Sequence, residues 1–142
     1  MPNTRPTFPN RFLILPTLMG CLFFSNPILA AWDELGSNEA IIVFVDKASV
    51  KRTGDKVQML SMLELKKSGV NPKTKETIQS IVGFNEFACG NTQYRPLEVK
   101  FYSGKRGEGK LVEEQKTPDS VLEPVVNGEW NAGVYNFACK VN

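Results

Sequence analysis

Residues 130–142 read WNAGVYNFACKVN, and the spacing of their apolar side chains decides the class of fold. Trp130, Val134, Phe137 or Ala138, and Val141 recur every three or four positions, which draws one apolar stripe along a helix. Asn127 stands ahead of it as a cap, and Gly133 weakens it by up to about 1 kcal/mol. Upstream the period changes.

Ala40-Ile41-Ile42-Val43-Phe44-Val45-Asp46 is a continuous β-rich run, as a strand covered on both faces requires. After a turn over Lys47–Thr53, Gly54-Asp55 opens a second strand from Lys56 to Leu65. Its Val57, Met59, Leu63 and Leu65 share one face, while Leu60 and Met62 lie on the other, so something packs above it. Lys66–Glu76, with Ser68-Gly69, Asn71-Pro72 and four lysines, reads as a long solvated connection. Further strands follow over Thr77–Ala88, Tyr94–Ser103 and Lys110–Lys116. Val121–Val126 is a short further strand that Pro118 and Pro124 restrict to an edge. Strands closed by one terminal helix predict an α+β fold, an antiparallel sheet of about five or six strands with the helix laid on it.

The chain has 142 residues, 42% of them hydrophobic, which suits one globular domain. It contains no histidine, so every His-based triad, proton shuttle and zinc site is excluded. Arg5 and Arg11 account for the whole net charge of +2, because residues 31–142 carry 15 basic and 15 acidic groups. A neutral body does not favour nucleic acid.

Residues 12–30, FLILPTLMGCLFFSNPILA, follow those two arginines and end on the small pair Ala30-Ala31. Positive charge, a short apolar stretch and a small-residue exit predict a secretory signal peptide over 1–30 and a mature domain over 31–142. Leu18-Met19-Gly20-Cys21 offers a competing exit, a lipobox that would acylate Cys21 and is the one route here to membrane attachment. The apolar Leu22-Phe23-Phe24 after it argues for cleavage after Ala30 instead.

Removal of the signal leaves Cys89 and Cys139 as the only cysteines. In an exported chain such a pair is expected to form a disulfide, closing a loop that the chain-entropy model values at roughly 4 kcal/mol. A bond between them would pin the terminal helix across the sheet. A catalytic thiol is the weaker reading, since no CxxC and no histidine are present to activate it.

No catalytic constellation emerges. Gly104-Lys105-Arg106-Gly107-Glu108-Gly109-Lys110 satisfies GxxxxGK, but Leu111 stands where a P-loop needs Ser or Thr, so a glycine-rich hairpin loop is the better reading. Glu113 and Glu114 are neighbours in a strand and point to opposite faces. SxxK does not occur. No enzyme, cofactor or metal site is expected.

One surface feature remains. Strand parity places Tyr94, Lys100 and Tyr102 on one face, with Lys105 and Arg106 in the adjoining loop. Residues 31–106 hold 12 basic against 9 acidic groups and residues 107–142 hold 3 against 6, so the domain is mildly bipolar. Tyrosine and arginine favour recognition surfaces, and basic patches attract polyanions or acidic proteins. These five residues are the candidate ligand-binding site.

The ordered landmarks resemble a family. Phe44-Val45-Asp46 with Ser49, the Gly54 turn, Phe87-Ala88-Cys89, Phe101-Tyr102 with Gly107 and Gly109, and Phe137-Ala138-Cys139 look like the surface-adhesin protein E family over residues 40–139. The resemblance implies an antiparallel sheet of about six strands whose C-terminal helix is tied back by a Cys89–Cys139 disulfide, in agreement with the layout above. It also implies a bacterial protein of the periplasm or outer-membrane surface that binds host matrix and plasma proteins such as vitronectin and laminin, and that dimerises. The sequence therefore predicts an exported, non-enzymatic binding module with a protein or polyanion partner. The alternative is a periplasmic carrier of a small apolar ligand, held between helix and sheet.

Overall fold

The computed structural model describes residues 30–140. Residues 1–29 of the expected signal peptide, with the lipobox cysteine Cys21, and Val141 of the expected helical stripe lie outside the described residues.

Shorter strands flank long central ones: β1 Trp32–Ser37, β2 Ile41–Asp46, β3 Lys51–Thr53, β4 Lys56–Val70, β5 Thr77–Ala88, β6 Gln93–Tyr102, β7 Leu111–Lys116 and β8 Glu123–Pro124, followed by α1 Trp130–Cys139, with β4 to β6 the long central three. All the pairings are antiparallel, in the order β1-β2-β4-β5-β6-β7, with β3 on the end of β4 and β8 on the end of β6. The architecture is the expected α+β fold, a sheet with one C-terminal helix, and the disulfide forms between Cys89 and Cys139.

Several boundaries differ from the sequence reading. β1 precedes the first expected strand; its WDELGS lacks apolar alternation and is held by its register with β2, from Trp32↔Asp46 to Ser37↔Ile42. β3 occupies part of the expected turn, with all three residues exposed and paired only to β4. β4 runs on to Val70, so part of the expected connection is strand. The helix starts one residue after Glu129, which caps it without a side-chain bond, rather than after Asn127.

The core forms where α1 crosses one face of the sheet. Val45, Val57, Met59 and Phe87 from three strands are fully buried against Val134, Tyr135 and Ala138 of the helix. One covalent and two polar ties hold α1 there: the disulfide, the Tyr135 hydroxyl donating to the Cys89 carbonyl at 2.9 Å, and Arg52 Nη2 donating to the Ala138 carbonyl at 2.8 Å. Lys140 ends the helix in the left-handed region, φ 54, with its amide returned to the carbonyls of Asn136 and Phe137.

The opposite face is also covered. Phe44 and Met62 point there and are 1% and 0% exposed. Their cover is the loop between β6 and β7, which folds back over the sheet rather than continuing the hairpin. Ser80 pins it: its hydroxyl donates to the Gly104 carbonyl at 2.6 Å and accepts from the Gly107 amide at 2.9 Å. Gly107 and Gly109 adopt φ of 70 and 79, and a Cβ on Gly109 would lie 2.6 Å from Ser103 Oγ, so the turn needs glycine twice. The GxxxxGK motif is thus a loop laid on a sheet, with Lys110 leading into strand β7.

Candidate functional site

β6 carries most of the sequence-predicted site, and a bulge divides it. Phe84 pairs with Glu98 but Asn85 pairs with Pro96, so Leu97 is inserted without a partner. Alternation is reset there. Tyr94 and Pro96 face the helix together with Val99, while Glu98, Lys100 and Tyr102 face the other way. The parity that grouped Tyr94 with Lys100 and Tyr102 is therefore corrected. The Tyr94 ring lies 6.1 Å from Phe87, stacked, and 5.8 Å from Trp130, edge-on, which makes it part of the helix packing.

The other residues come together. A groove of about 590 Å³ opens on the face away from the helix, and Lys100, Tyr102 and Arg106 line it. Its floor is apolar: Leu60 opposite Phe84 in one cross-strand row, and Val82 opposite Lys100 in the next. Trp32 of β1 stands on one side, and Arg106, Gly107 and Glu108 of the pinned loop on the other. Lys105 sits beside the groove, bound to the same carboxylate as its neighbour. The sequence reading missed Trp32, Leu60, Val82, Phe84 and Glu98. The signal for the floor was present in Leu60 and Met62, whose apolar side chains on the second face of β4 required a cover.

Each cation of the groove is already paired. Lys100 Nζ lies 2.6 Å from Glu98 and 3.8 Å from Glu114. The hydrogen bond to Glu98 raises the Lys100 pKa against the opposing effect of burial, and the same bond holds the Glu98 carboxyl below its ordinary value. Arg106 Nε is 3.2 Å and Lys105 Nζ 3.9 Å from Glu64, whose side chain is only 8% exposed. Arg106 itself is left-handed, φ 60, and its guanidinium lies over the buried Phe44 ring. The rim is consequently a set of closed ion pairs around an apolar floor, with no surplus positive field.

A smaller cavity of about 160 Å³ lies between helix and sheet, bounded by Leu63, Ile81, Asn85, Tyr94, Val99 and Trp130. Ligand pockets begin at about 300 Å³, and a cavity of about 150 Å³ takes a molecule the size of benzene. Among the described residues no cluster of carboxylates and thiols has metal-binding geometry. None of their helices is long and apolar enough to cross a membrane.

A family model described as surface-adhesin protein E matches residues 32–140. The chain belongs to the surface-adhesin protein E family. That membership implies an exported bacterial surface protein with a binding role. Solved structures of protein E share the fold. Haemophilus influenzae protein E is 14% identical, with a TM-score of 0.52 over 73% of this chain and 86% of that one. Its crystal form II is 14% identical, with a TM-score of 0.53 over 73% and 90%. Protein E from non-typeable Haemophilus influenzae is 17% identical, with a TM-score of 0.50 over 72% of each chain. A comparison with curated proteins finds no match.

Proposed function

We propose that this surface-adhesin protein E family member is an exported, non-enzymatic binding module that holds a segment of a partner protein in the groove opposite its helix. The supporting observation is the combination of an apolar floor at Leu60, Val82 and Phe84 with a rim whose cations are all matched by carboxylates. Such a surface rewards an occupant that brings apolar side chains and charges of both signs, so a protein segment fits it better than a polyanion. Lys100, Tyr102, Lys105 and Arg106 are the contact residues in this reading, and Tyr94 supports the fold from the other face. The helix-side cavity is too small for the carrier role unless the cargo is of benzene size.

Immobilised vitronectin and laminin, the kinds of partner the family suggests, are the first ligands to test, by interferometry across a salt series. Tyr102→Ala combined with Lys100→Gln is expected to weaken binding about tenfold or more, as interface anchors do. Retention of full affinity by that variant would remove the groove as the site.

A second copy of the chain is supported by a separate feature. Val43, Leu63, Ile81 and Phe101 form one cross-strand apolar row on the helix side, passing beside the Trp130 end of α1, and all four are partly exposed. A homodimer would bury that row. Light scattering at rising concentration checks it, with Ile81→Glu expected to give a monomer.

A further inference from the structure

The ribbon formed by the end of β4 and the start of β5 runs on past its ladders with β2 and β6, and at its end Asn71 and Glu76 are tied back, to Glu113 and Lys110. β2 pairs with β4 only as far as Ile41↔Leu65, and β6 pairs with β5 only as far as Ser80↔Tyr102. This arm carries Lys66, Lys67, Lys73 and Lys75, all exposed, and none has a carboxylate within ion-pair distance among the described residues. The carboxylates around the arm are occupied elsewhere: Glu64 by Arg106 and Lys105, Glu76 by Lys110, and Glu113 by Asn71 and Gln115. Every cation of the groove is matched, whereas these four are not.

The arm is built rather than frayed. Asn71 is 3% exposed; its Oδ1 accepts from the amides of Lys73 and Thr74, its Nδ2 donates to Glu113, and its amide donates to the Glu76 carbonyl. The register passes from Glu64↔Ser80 to Gly69↔Ile78, so residues 65–68 of β4 bulge out opposite Gln79 alone. That bulge sets Lys66 and Lys67 opposite Gln79, three positions from Glu76 along the other strand. Val70, beside them, is 58% exposed.

We propose that this arm is a membrane-docking element, meeting an anionic phospholipid surface end-on through its four lysines, with Val70 entering the headgroup layer. A linear polyanion needs its cations in one row on one face. A planar charged surface met by a protruding tip draws cations from both sides of the ribbon, together with an exposed apolar residue. Each lysine near such a surface contributes about a fivefold gain in partitioning, and the sum is screened by salt. The site is independent of the groove.

The test is co-sedimentation of the exported protein with vesicles of phosphatidylcholine alone, or with about one-third phosphatidylglycerol, at low and high salt. Binding is expected only to the anionic vesicles, and is expected to be lost at high salt. Lys66→Gln, Lys67→Gln, Lys73→Gln and Lys75→Asn together are expected to reduce it about a hundredfold or more, asparagine being chosen for the left-handed Lys75 position. Lys73→Gln with Lys75→Asn is expected to cost over tenfold, and the charge-matched control Lys47→Gln with Lys51→Gln less than about twofold. Circular dichroism confirms folding of each variant, and the groove variant Tyr102→Ala is expected to keep vesicle binding. The proposal is overturned by equal binding to neutral vesicles, by no binding to either, by equal loss in the matched control, or by capture on heparin with vesicles ignored.

Discussion

The guanidinium of Arg106 sits 4.1 Å from the ring centroid of Phe44 and, at its Nε, 3.2 Å from Glu64. One side chain thus joins the loop, the second face of the core and a nearly buried carboxylate. Its removal leaves Glu64 with Lys105 alone at 3.9 Å. Arg106→Ala is expected to cost about 2 kcal/mol, discounted from a fully buried pair because Arg106 is half exposed. Arg106→Lys restores the charge without the stacking plane and recovers only part of that. In a Glu64→Gln background the cost falls below about 1 kcal/mol, because no carboxylate is orphaned. Urea unfolding of the four proteins measures this, and strict additivity of the two substitutions would contradict it.

Tyr94 and Tyr102 separate stability from binding. Tyr94→Ala removes a ring packed on Phe87 and Trp130 and is expected to cost about 3 kcal/mol while leaving partner affinity intact in the folded fraction. Tyr102→Ala is expected to do the reverse, with a cost under about 1 kcal/mol and weaker binding. Denaturation and interferometry on both variants decide the matter; a binding defect confined to Tyr94→Ala would place the site on the helix side.

The disulfide spans 50 positions, and its loss is expected to cost about 4 kcal/mol through the entropy returned to the unfolded chain. Cys89→Ser with Cys139→Ser is the test. The helix loses its covalent tie while retaining the Tyr135 and Arg52 hydrogen bonds, so hydrogen exchange is expected to quicken first in α1. Uniform acceleration across the sheet would show that the bond acts on the whole fold instead.

Stability is expected to fall in acid partly through Glu86. Burial opposes ionisation of this carboxyl, but hydrogen bonds from Gln58 and Arg95 and the charges of Arg95 and Lys56 outweigh it and hold the pKa below its ordinary 4.5. The unfolded chain then binds the proton more readily, so this contribution is complete above the unfolded value and disappears as pH drops through the folded one. Glu86→Gln is expected to be less stable at neutral pH and to lose less on acidification. Parallel pH profiles for the two proteins would exclude Glu86 from the acid response.

How far the site could be read from the sequence turns on a few residues. Lys100 and Tyr102 share one face, as read from the sequence, because no extra residue of β6 falls between them; the register shift there leaves Val112 of β7 unpaired instead. Tyr94 fails because Leu97 is inserted next to Pro96, and a proline inside a strand is the signal of a bulge that parity counting ignores. β1 was illegible because an edge strand with one covered face and a polar composition is specified by its partner, not by its own pattern. Leu60 and Met62 announced a cover on the second face without identifying it. The folding back of residues 104–110 depends on Ser80, more than twenty positions away, whose hydroxyl satisfies two backbone groups of the loop.

By itself the amino-acid sequence determined the class of fold, the covalent tie and the exclusion of histidine chemistry, because period, cysteine number and composition are properties of the linear chain. Only the tertiary structure decided which side chains share a surface and which charges remain free. Those depend on strand register and on contacts between residues far apart in the chain, where a single inserted residue exchanges the faces of everything that follows it.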